Sequence, residues 1–203
     1  VAPFGGRAGV FTPNPLAAAW PTEGLPVILD VSMSITTNAL TRRLRDEGRR
    51  FPGQWALTAA GEPTDDPAAL YTQPPGTLLP TGGTDHGHKG YAFTLMVEAL
   101  TGGLAGHGRA DPKEGWGATV TIQVFNPAMF GGADEFRRQT EWVAARCRAT
   151  PPRPGFAAVR LPGESGLRRR AEQLANGVAI YPGILTALQP WAERWQVTLP
   201  RPG

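Results

Sequence analysis

The stretch Pro80–Tyr91 reads PTGGTDHGHKGY and runs directly into an apolar segment that continues to Gly102. Its glycines allow the backbone to approach a ligand closely. The apolar residues of Lys89–Gly102 lie on nearly all sides of a helix, which predicts a buried helix. Lys89 would then stand at the start of that helix, where unpaired N–H groups and the positive dipole end favour an anion such as phosphate. The alternative is that the glycines only shape a turn and that Lys89 and the neighbouring histidines are solvated.

A second turn with the same pattern follows Pro26–Val31, an apolar run rich in branched residues that predicts a buried strand. The residues Ser34–Gly48 predict a helix, with the first residue as its N-cap and the last as its C′ residue. Asp30 and the hydroxyl of Ser32 lie between the two elements. Ends of strands that lead into helices are where α/β proteins hold ligands. The alternative is that these polar side chains only cap the helix.

A third turn of this kind is Leu161–Ser165, between a predicted short strand over Ala157–Leu161 and a predicted helix over Ser165–Asn176 that ends at Gly177. Caps and turns have the same composition as ligand loops at such a place. Taken alone, this turn therefore does not indicate a site.

The remaining elements indicate a mixed fold. Ala118–Phe125 is the clearest strand pattern, Asp134–Cys147 predicts an amphipathic helix, and Ile184–Val197 predicts a last helix that Pro190 should kink or split. Residues 51–85 are rich in glycine and proline, so they are either a functional loop or contain a missed element. The order of strands and helices favours an α/β or α+β fold with a sheet core and is too irregular for a doubly wound sheet.

Composition narrows the class of protein. The 203 residues are 41% hydrophobic and 18% charged, as in one ordinary soluble globular domain. The 26 glycines and 21 prolines follow no three-residue period, which excludes collagen and predicts many shaped loops. No apolar run is long enough to span a membrane, so we expect no membrane partner. The single cysteine, Cys147, excludes disulfide scaffolds and multi-cysteine zinc sites, and we expect a cytoplasmic protein.

Two other chemistries are weaker alternatives. Asp85, His86 and His88 are possible metal ligands within four residues, and His86 and His88 would share a face on a strand. No distant ligand cluster accompanies them, so we expect no metal. The arginines of 42–50 are interrupted by Asp46 and Glu47. We expect a solvated helix face there and no nucleic-acid partner.

Several motifs nevertheless occur in one order along the chain. They are VAPFGG, FTPNPLAAAWP, ILDVSMS, GQWALTAAGEPTDDP, GHKGYAFTLMVEALTGGLAG, PGFAAVRLPGE and RRRAEQLANGV. Together they resemble the type 2 malate/L-lactate dehydrogenase family from about Val1 to Leu199. This family also includes ureidoglycolate, sulfolactate and diketogulonate enzymes and cyclic-imine reductases.

The resemblance implies a fold and partners. The fold is α/β (α+β), with a large, mainly antiparallel sheet, flanking helices and a non-Rossmann NAD(P)-binding site. Residues 1–203 would form the cofactor-binding domain, with NAD or NADP as cofactor. A small 2-keto or 2-hydroxy acid, or a cyclic imino acid, would be the substrate of an NAD(P)-dependent oxidoreductase. The family's homodimer would hold the site between subunits or domains.

The resemblance also implies which residues contact the cofactor. These are the strand-end segment Leu29, Asp30, Val31, Ser32, Met33, Ser34 and Ile35, the pair His88 and Lys89, and the turn Gly163, Glu164 and Ser165. Asp30 would support catalysis by orienting the nicotinamide or ribose or by assisting proton transfer. The histidine that donates the proton is expected in an N-terminal catalytic and dimerisation segment absent from this chain, and either a separate N-terminal chain or a cleaved fragment would supply it. The alternative is a non-catalytic or truncated subunit that keeps the fold and the dimer surface.

One motif departs from the family pattern. Thr12-Pro13-Asn14-Pro15 stands where the family usually has Gly-Thr-Asn-Pro. From the residues alone we predict only a rigid turn here, in which Pro13 lacks a backbone donor.

Overall fold

Strands β1 (Leu16–Trp20) and β2 (Val27–Val31) form an antiparallel hairpin in the computed structural model, which describes residues 1–112, 115 and 117–200. The strand predicted over Pro26–Val31 is confirmed. Its burial was predicted too high, because only Val27 is fully buried and the strand becomes exposed towards its end at Asp30.

Residues 51–85 contain elements that the composition concealed. Strands β3 (Ala56–Leu57), β4 (Pro63–Thr64) and β5 (Thr77–Leu78) form an antiparallel sheet in the order β4–β3–β5. A 3-10 helix covers Pro67–Tyr71. Two-residue strands are too short to show a hydrophobic period, so this stretch resembles a loop in the sequence. A buried cluster accompanies this sheet, formed by Leu44, Phe51, Ala56 and Leu78.

Helix α1 (Asn38–Asp46) begins later than predicted. Thr37 is its N-cap, and its hydroxyl accepts a hydrogen bond from the Leu40 N–H. Ser34 does not cap the helix, because its own hydroxyl donates to the carbonyl of Thr36. Gly48 lies just beyond the helix with a φ of 64°, the left-handed conformation expected of a C′ glycine.

Helix α2 (Gly83–Glu98) begins earlier than predicted and continues into a π-helical turn, Ala99–Gly103. Lys89 is therefore not at the helix start, which corrects that prediction. The expectation of a buried apolar helix is also wrong, because Phe93 and several other apolar side chains of α2 are exposed. The buried face consists of small residues four and three positions apart, namely Gly83, Gly87, Gly90 and Thr94.

The other predicted strands are not formed. Ala118–Phe125 and Ala157–Leu161 contain no strand residue. A strand requires a hydrogen-bonded neighbour, and all five strands among the described residues pair with one another. The alternation of apolar residues therefore predicted an extended segment, but it could not show whether a neighbouring strand is present to pair with it.

The last three helices agree with prediction. They are α3 (Ala133–Ala149), α4 (Glu164–Asn176), which ends at Gly177, and α5 (Ile184–Trp195). Pro190 lies inside a single α5, so the predicted split does not occur.

The chain divides after Pro162 into two compact units, each described by itself. Helices α4 and α5 belong to the second unit, and the strands to the first. The mixed fold class is confirmed, and every strand pairing among the described residues is antiparallel. No helix in the described part of the chain combines the length and the apolar character needed to cross a membrane.

Candidate ligand site at the start of helix α2

The turn after β2 is joined to the segment that leads into α2. The Ile35 N–H donates to the carbonyl of Leu79 at 3.0 Å, and the Thr81 N–H donates to the carbonyl of Met33 at 2.8 Å. The Thr81 hydroxyl also donates to the carbonyls of Ser32 and Ser34, at 3.0 and 3.1 Å. The end of strand β2 and the start of α2 are thus held side by side. They belong to two of the three turns that the sequence singled out.

The serine hydroxyls of this turn have different surroundings. Ser34 is buried, and its hydroxyl proton is used inside the turn at the carbonyl of Thr36, 2.5 Å away. The hydroxyl of Ser32 lies 2.5 Å from that of Ser34 and is only partly buried. Ser34 therefore shapes the turn, and Ser32 is the hydroxyl closer to solvent.

Glycines allow α2 to approach this turn at backbone distance. Gly82 and Gly83 have φ values of 101° and 64°, which side chains rarely tolerate. A Cβ on Gly90 would lie 2.4 Å from the carbonyl oxygen of Thr81. Helix α2 is consequently in close backbone contact, at Gly90, with Thr81, the residue that bonds to the turn after β2.

His88 and Lys89 lie on this helix and are exposed. The His88 ring packs edge-on against Phe4, with centroids 5.6 Å apart. Lys89 has no hydrogen bond or ion pair to any other residue that the structure describes, so its ammonium group is free to meet an anion.

The metal alternative assumed a strand, and His86 and His88 lie instead on helix α2, with their ring centroids 6.2 Å apart. Over residues 1–112, 115 and 117–200 there is no group of three side chains able to hold a metal ion.

Asp30 lies in β2, opposite Ala17 in β1, and is exposed. The other turn, Gly163–Ser165, lies in the second unit. There Gly163 is the N-cap of α4 with a φ of 93°, and Glu164 lies in the first turn, where a carboxylate is stabilised by the helix dipole. The cofactor contacts assigned to all three segments stay predictions.

The turn at Pro13 is part of the same structure, which the sequence did not indicate. The carbonyl of Pro13 accepts from the Met33 N–H at 2.8 Å, so this proline serves as an acceptor where it cannot donate. Asn14 is buried with a φ of 46°, and its amide nitrogen donates to Glu98 at 2.7 Å. An asparagine between two prolines was the available signal, since asparagine tolerates positive φ better than most residues.

Glu98 and Arg109 form the other side of the contact with Asn14, and the sequence did not indicate either residue. The Arg109 Nε donates to Glu98 Oε1 at 2.6 Å, and its terminal nitrogen donates to the Thr12 hydroxyl at 3.0 Å. Burial acts to raise the pKa of Glu98. Hydrogen bonds from Arg109 and Asn14, together with the charge of Arg109, outweigh it and leave that pKa below its ordinary value. Glu98 is therefore held as a carboxylate at the end of α2.

Arginines of α1 and of the following loop form ion pairs within the chain. Arg45 pairs with Asp46 at 2.6 Å and Arg50 pairs with Asp65 at 2.8 Å. Ion pairs of this kind are typical of a solvated surface that carries charges of both signs.

Strand β2 ends in an acid and hydroxyls and lies beside the start of α2, which carries an unpaired lysine. This arrangement is typical of α/β proteins that bind an anionic ligand. The family model described as malate/L-lactate dehydrogenase matches residues 1–189. The chain belongs to the malate/L-lactate dehydrogenase family.

Individual relatives agree with this assignment. The L-lactate dehydrogenase of Cupriavidus necator is 35% identical over 98% of this chain and 58% of its own length. A delta(1)-pyrroline-2-carboxylate reductase of Burkholderia ambifaria is 36% identical over 93% of this chain and 56% of its own length. The solved malate dehydrogenase of Pyrococcus horikoshii, 26% identical, has a TM-score of 0.78 and covers 98% of this chain and 55% of that one. The chain thus spans little more than half the length of the relatives that it matches.

Proposed function

We propose that this chain is the cofactor-binding portion of an oxidoreductase that acts on a small 2-keto or 2-hydroxy acid, or on a cyclic imino acid. The observation that carries the proposal is the hydrogen-bonded junction of the β2 end with the α2 start, beside the unpaired Lys89. Membership of the family, whose relatives are named for lactate, malate and pyrroline-2-carboxylate, supports the substrate class.

The residues present fit a nicotinamide dinucleotide. Its pyrophosphate carries negative charge, which the free ammonium of Lys89 complements. Gly82 is exposed at the start of α2, and the start of a helix is a place where phosphate oxygens bind well. When bound, the cofactor supplies or accepts the hydride.

The remaining assignments give each segment a task. Leu29–Ile35 orient the nicotinamide and ribose, with Asp30 exposed at the strand end. His88 and Lys89 hold the pyrophosphate or ribose region. Gly163, Glu164 and Ser165 supply a third contact. We propose that the task of these contacts is to align the cofactor with the substrate carbon, because correct alignment lowers the barrier to hydride transfer.

The proton donor is expected outside the 203 residues. None of His86, His88 or His107 lies in the motif of the family's donor histidine. We propose that a histidine supplies the proton and that it belongs to the polypeptide corresponding to the unmatched length of the relatives. We also propose a homodimer, with the site between subunits or domains. The single cysteine favours a reducing compartment, and we propose the cytoplasm.

Fluorescence titration with NADH and, separately, with NADPH tests the proposal. We expect saturable binding of at least one of them, and the tighter ligand identifies the cofactor. Absence of binding by both would contradict the assignment of the cofactor site to this chain. Binding without turnover of any keto or imino acid, when the remaining length is supplied, would favour the alternative of a non-catalytic subunit. That alternative rests on the absence of the family's donor-histidine motif from the 203 residues.

Lys89→Ala is expected to weaken dinucleotide binding at least tenfold, about 1.4 kcal/mol, because it removes the ammonium group that meets the pyrophosphate. The same titration measures it. Arg42→Ala is the matched control, since it removes one exposed positive charge from helix α1 and should leave the affinity unchanged. An equal effect of both variants would show that net charge, and not the position of Lys89, governs binding.

A further inference from the structure

The turn at residues 3–6 belongs to the motif VAPFGG, to which the proposed function assigns no task. The Gly6 N–H donates to the carbonyl of Pro3 at 2.9 Å, and Gly5 has a φ of 84°. A glycine with positive φ at the third position is typical of a tight turn. The turn therefore carries Phe4 at its tip.

Contacts on two sides hold this turn in place. Ala2, which precedes it, is buried, and its N–H donates to the carbonyl of Leu78 in β5 at 3.1 Å. On the other side, the Phe4 ring lies against α2 at Gly87. A Cβ on Gly87 would lie 3.0 Å from the Phe4 ring and 3.0 Å from the Pro80 ring. The missing side chain thus leaves the space that the Phe4 ring occupies.

The Phe4 ring contacts an aromatic side chain of the candidate site. It packs edge-on against the His88 ring, with centroids 5.6 Å apart and planes inclined at 72°. This geometry is one that aromatic pairs prefer. Phe4 is 41% exposed, and His88 is exposed as well. Two rings in contact with solvent therefore form a corner, and the next residue along α2 is Lys89 with its unpaired ammonium group.

We propose that Phe4 and His88 form an aromatic subsite for a heteroaromatic ring of the dinucleotide, while Lys89 meets its phosphate groups. The inference rests on the function proposed above and adds Phe4, which lies in none of the three candidate turns. Phe4 fixes the orientation of the His88 ring and offers a second apolar ring beside it. Stacking on aromatic side chains accepts every base, because every base has a π-face. Adenine and nicotinamide are thus the two sources of the same chemistry.

Titration with NADH or NADPH, whichever binds the parent chain more tightly, tests the subsite. Phe4→Leu removes the ring and keeps an apolar side chain, and it should weaken binding at least fivefold, about 1 kcal/mol. Phe4→Tyr keeps the ring and should remain within twofold of the parent. Phe130→Leu is the matched control, because it removes a ring that is 75% exposed at another place, and it should change nothing. Unchanged affinity of Phe4→Leu would overturn the inference. Phe4→Met replaces it, with the same expectation, should Phe4→Leu fail to unfold cooperatively in urea.

A double-mutant cycle separates the subsite from a purely structural role of Phe4. If the two rings act as one contact, Phe4→Leu should weaken binding less than twofold once His88→Ala is present. A fivefold loss in both backgrounds would show that Phe4 acts independently of His88 and would overturn the inference.

Fragments of the cofactor identify the ring and guard against a general distortion of the site. ADP-ribose carries the adenine alone, reduced nicotinamide mononucleotide carries the nicotinamide alone, and inorganic pyrophosphate carries no ring. Phe4→Leu should weaken one of the two ring-bearing fragments and leave competition by pyrophosphate unchanged, and the weakened fragment names the ring. Equal weakening of pyrophosphate would overturn the inference. Absence of dinucleotide binding by the parent chain overturns the proposed function together with the subsite, whereas binding that Phe4→Leu leaves unchanged overturns the subsite alone.

Discussion

Gly90→Ala is expected to lower the free energy of unfolding by about 3 kcal/mol, because the added methyl group would overlap backbone atoms. A Cβ at this position would lie 2.4 Å from the carbonyl oxygen of Thr81 and 2.7 Å from its nitrogen. Both atoms are backbone, and the Thr81 N–H is bonded to Met33, so neither can move without breaking the junction of β2 with α2. Urea unfolding measures the change as a shift in midpoint at constant slope.

Gly166→Ala is the matched control. Gly166 also lies inside a helix, α4, but a Cβ there would have no atom within 4 Å. Alanine has the higher helix propensity, so this variant should be stabilised by up to about 1 kcal/mol. Similar effects of the two substitutions would mean that helix propensity, and not contact with Thr81, decides the result at Gly90.

Arg109→Ala is expected to cost about 2 kcal/mol of stability at neutral pH, because it removes charge-assisted hydrogen bonds to Glu98. The carboxylate would keep the amide of Asn14 but lose its counter-charge. Thermal or urea unfolding measures the loss. Arg137→Ala, which removes an exposed pair with Asp134 on α3, is the control and should cost no more than about 0.5 kcal/mol.

The same pair determines a pH dependence. The pKa of Glu98 is lower in the folded state than its ordinary value, so the folded state favours the carboxylate. This stabilisation is present above the ordinary glutamate pKa and is lost as the pH falls through the lowered one. Arg109→Ala should therefore reduce the loss of stability on acidification. A variant that loses stability as steeply as the parent between neutral pH and the acid range would contradict this assignment.

The sequence predicted the parts of the fold that are encoded locally. The branched run before Asp30 forms β2, and the amphipathic pattern of α3 and the glycine that ends α4 located these helices within one or two residues. Helix α2 was misjudged because its apolar residues were interpreted as core. The structure buries the glycine face, and glycine carries no hydrophobic signal.

The missed parts of the site depend on distant partners. Asn14 contacts residues 84 and 95 positions away, Glu98 and Arg109, and no local pattern indicates such contacts. Ala118–Phe125 shows the converse, since its alternation was clear and its pairing partner is not among the described strands. The family motifs, which reflect the whole fold, indicated the three candidate turns that local reasoning had left open.

The turn at residues 12–14 has one further consequence. Through Pro13 it is bonded to Met33, which in turn holds Thr81 at the first end of α2, and through Asn14 it holds Glu98 at the last end. These ends are about 22 Å apart along the helix axis. Hydrogen bonds from residues 12–14 thus fix both ends of α2, directly at Glu98 and through Met33 at Thr81, and Lys89 lies near the middle of the helix. Bending or rotation of α2 would have to break both sets of contacts, so the backbone at Lys89 keeps its position relative to the end of β2.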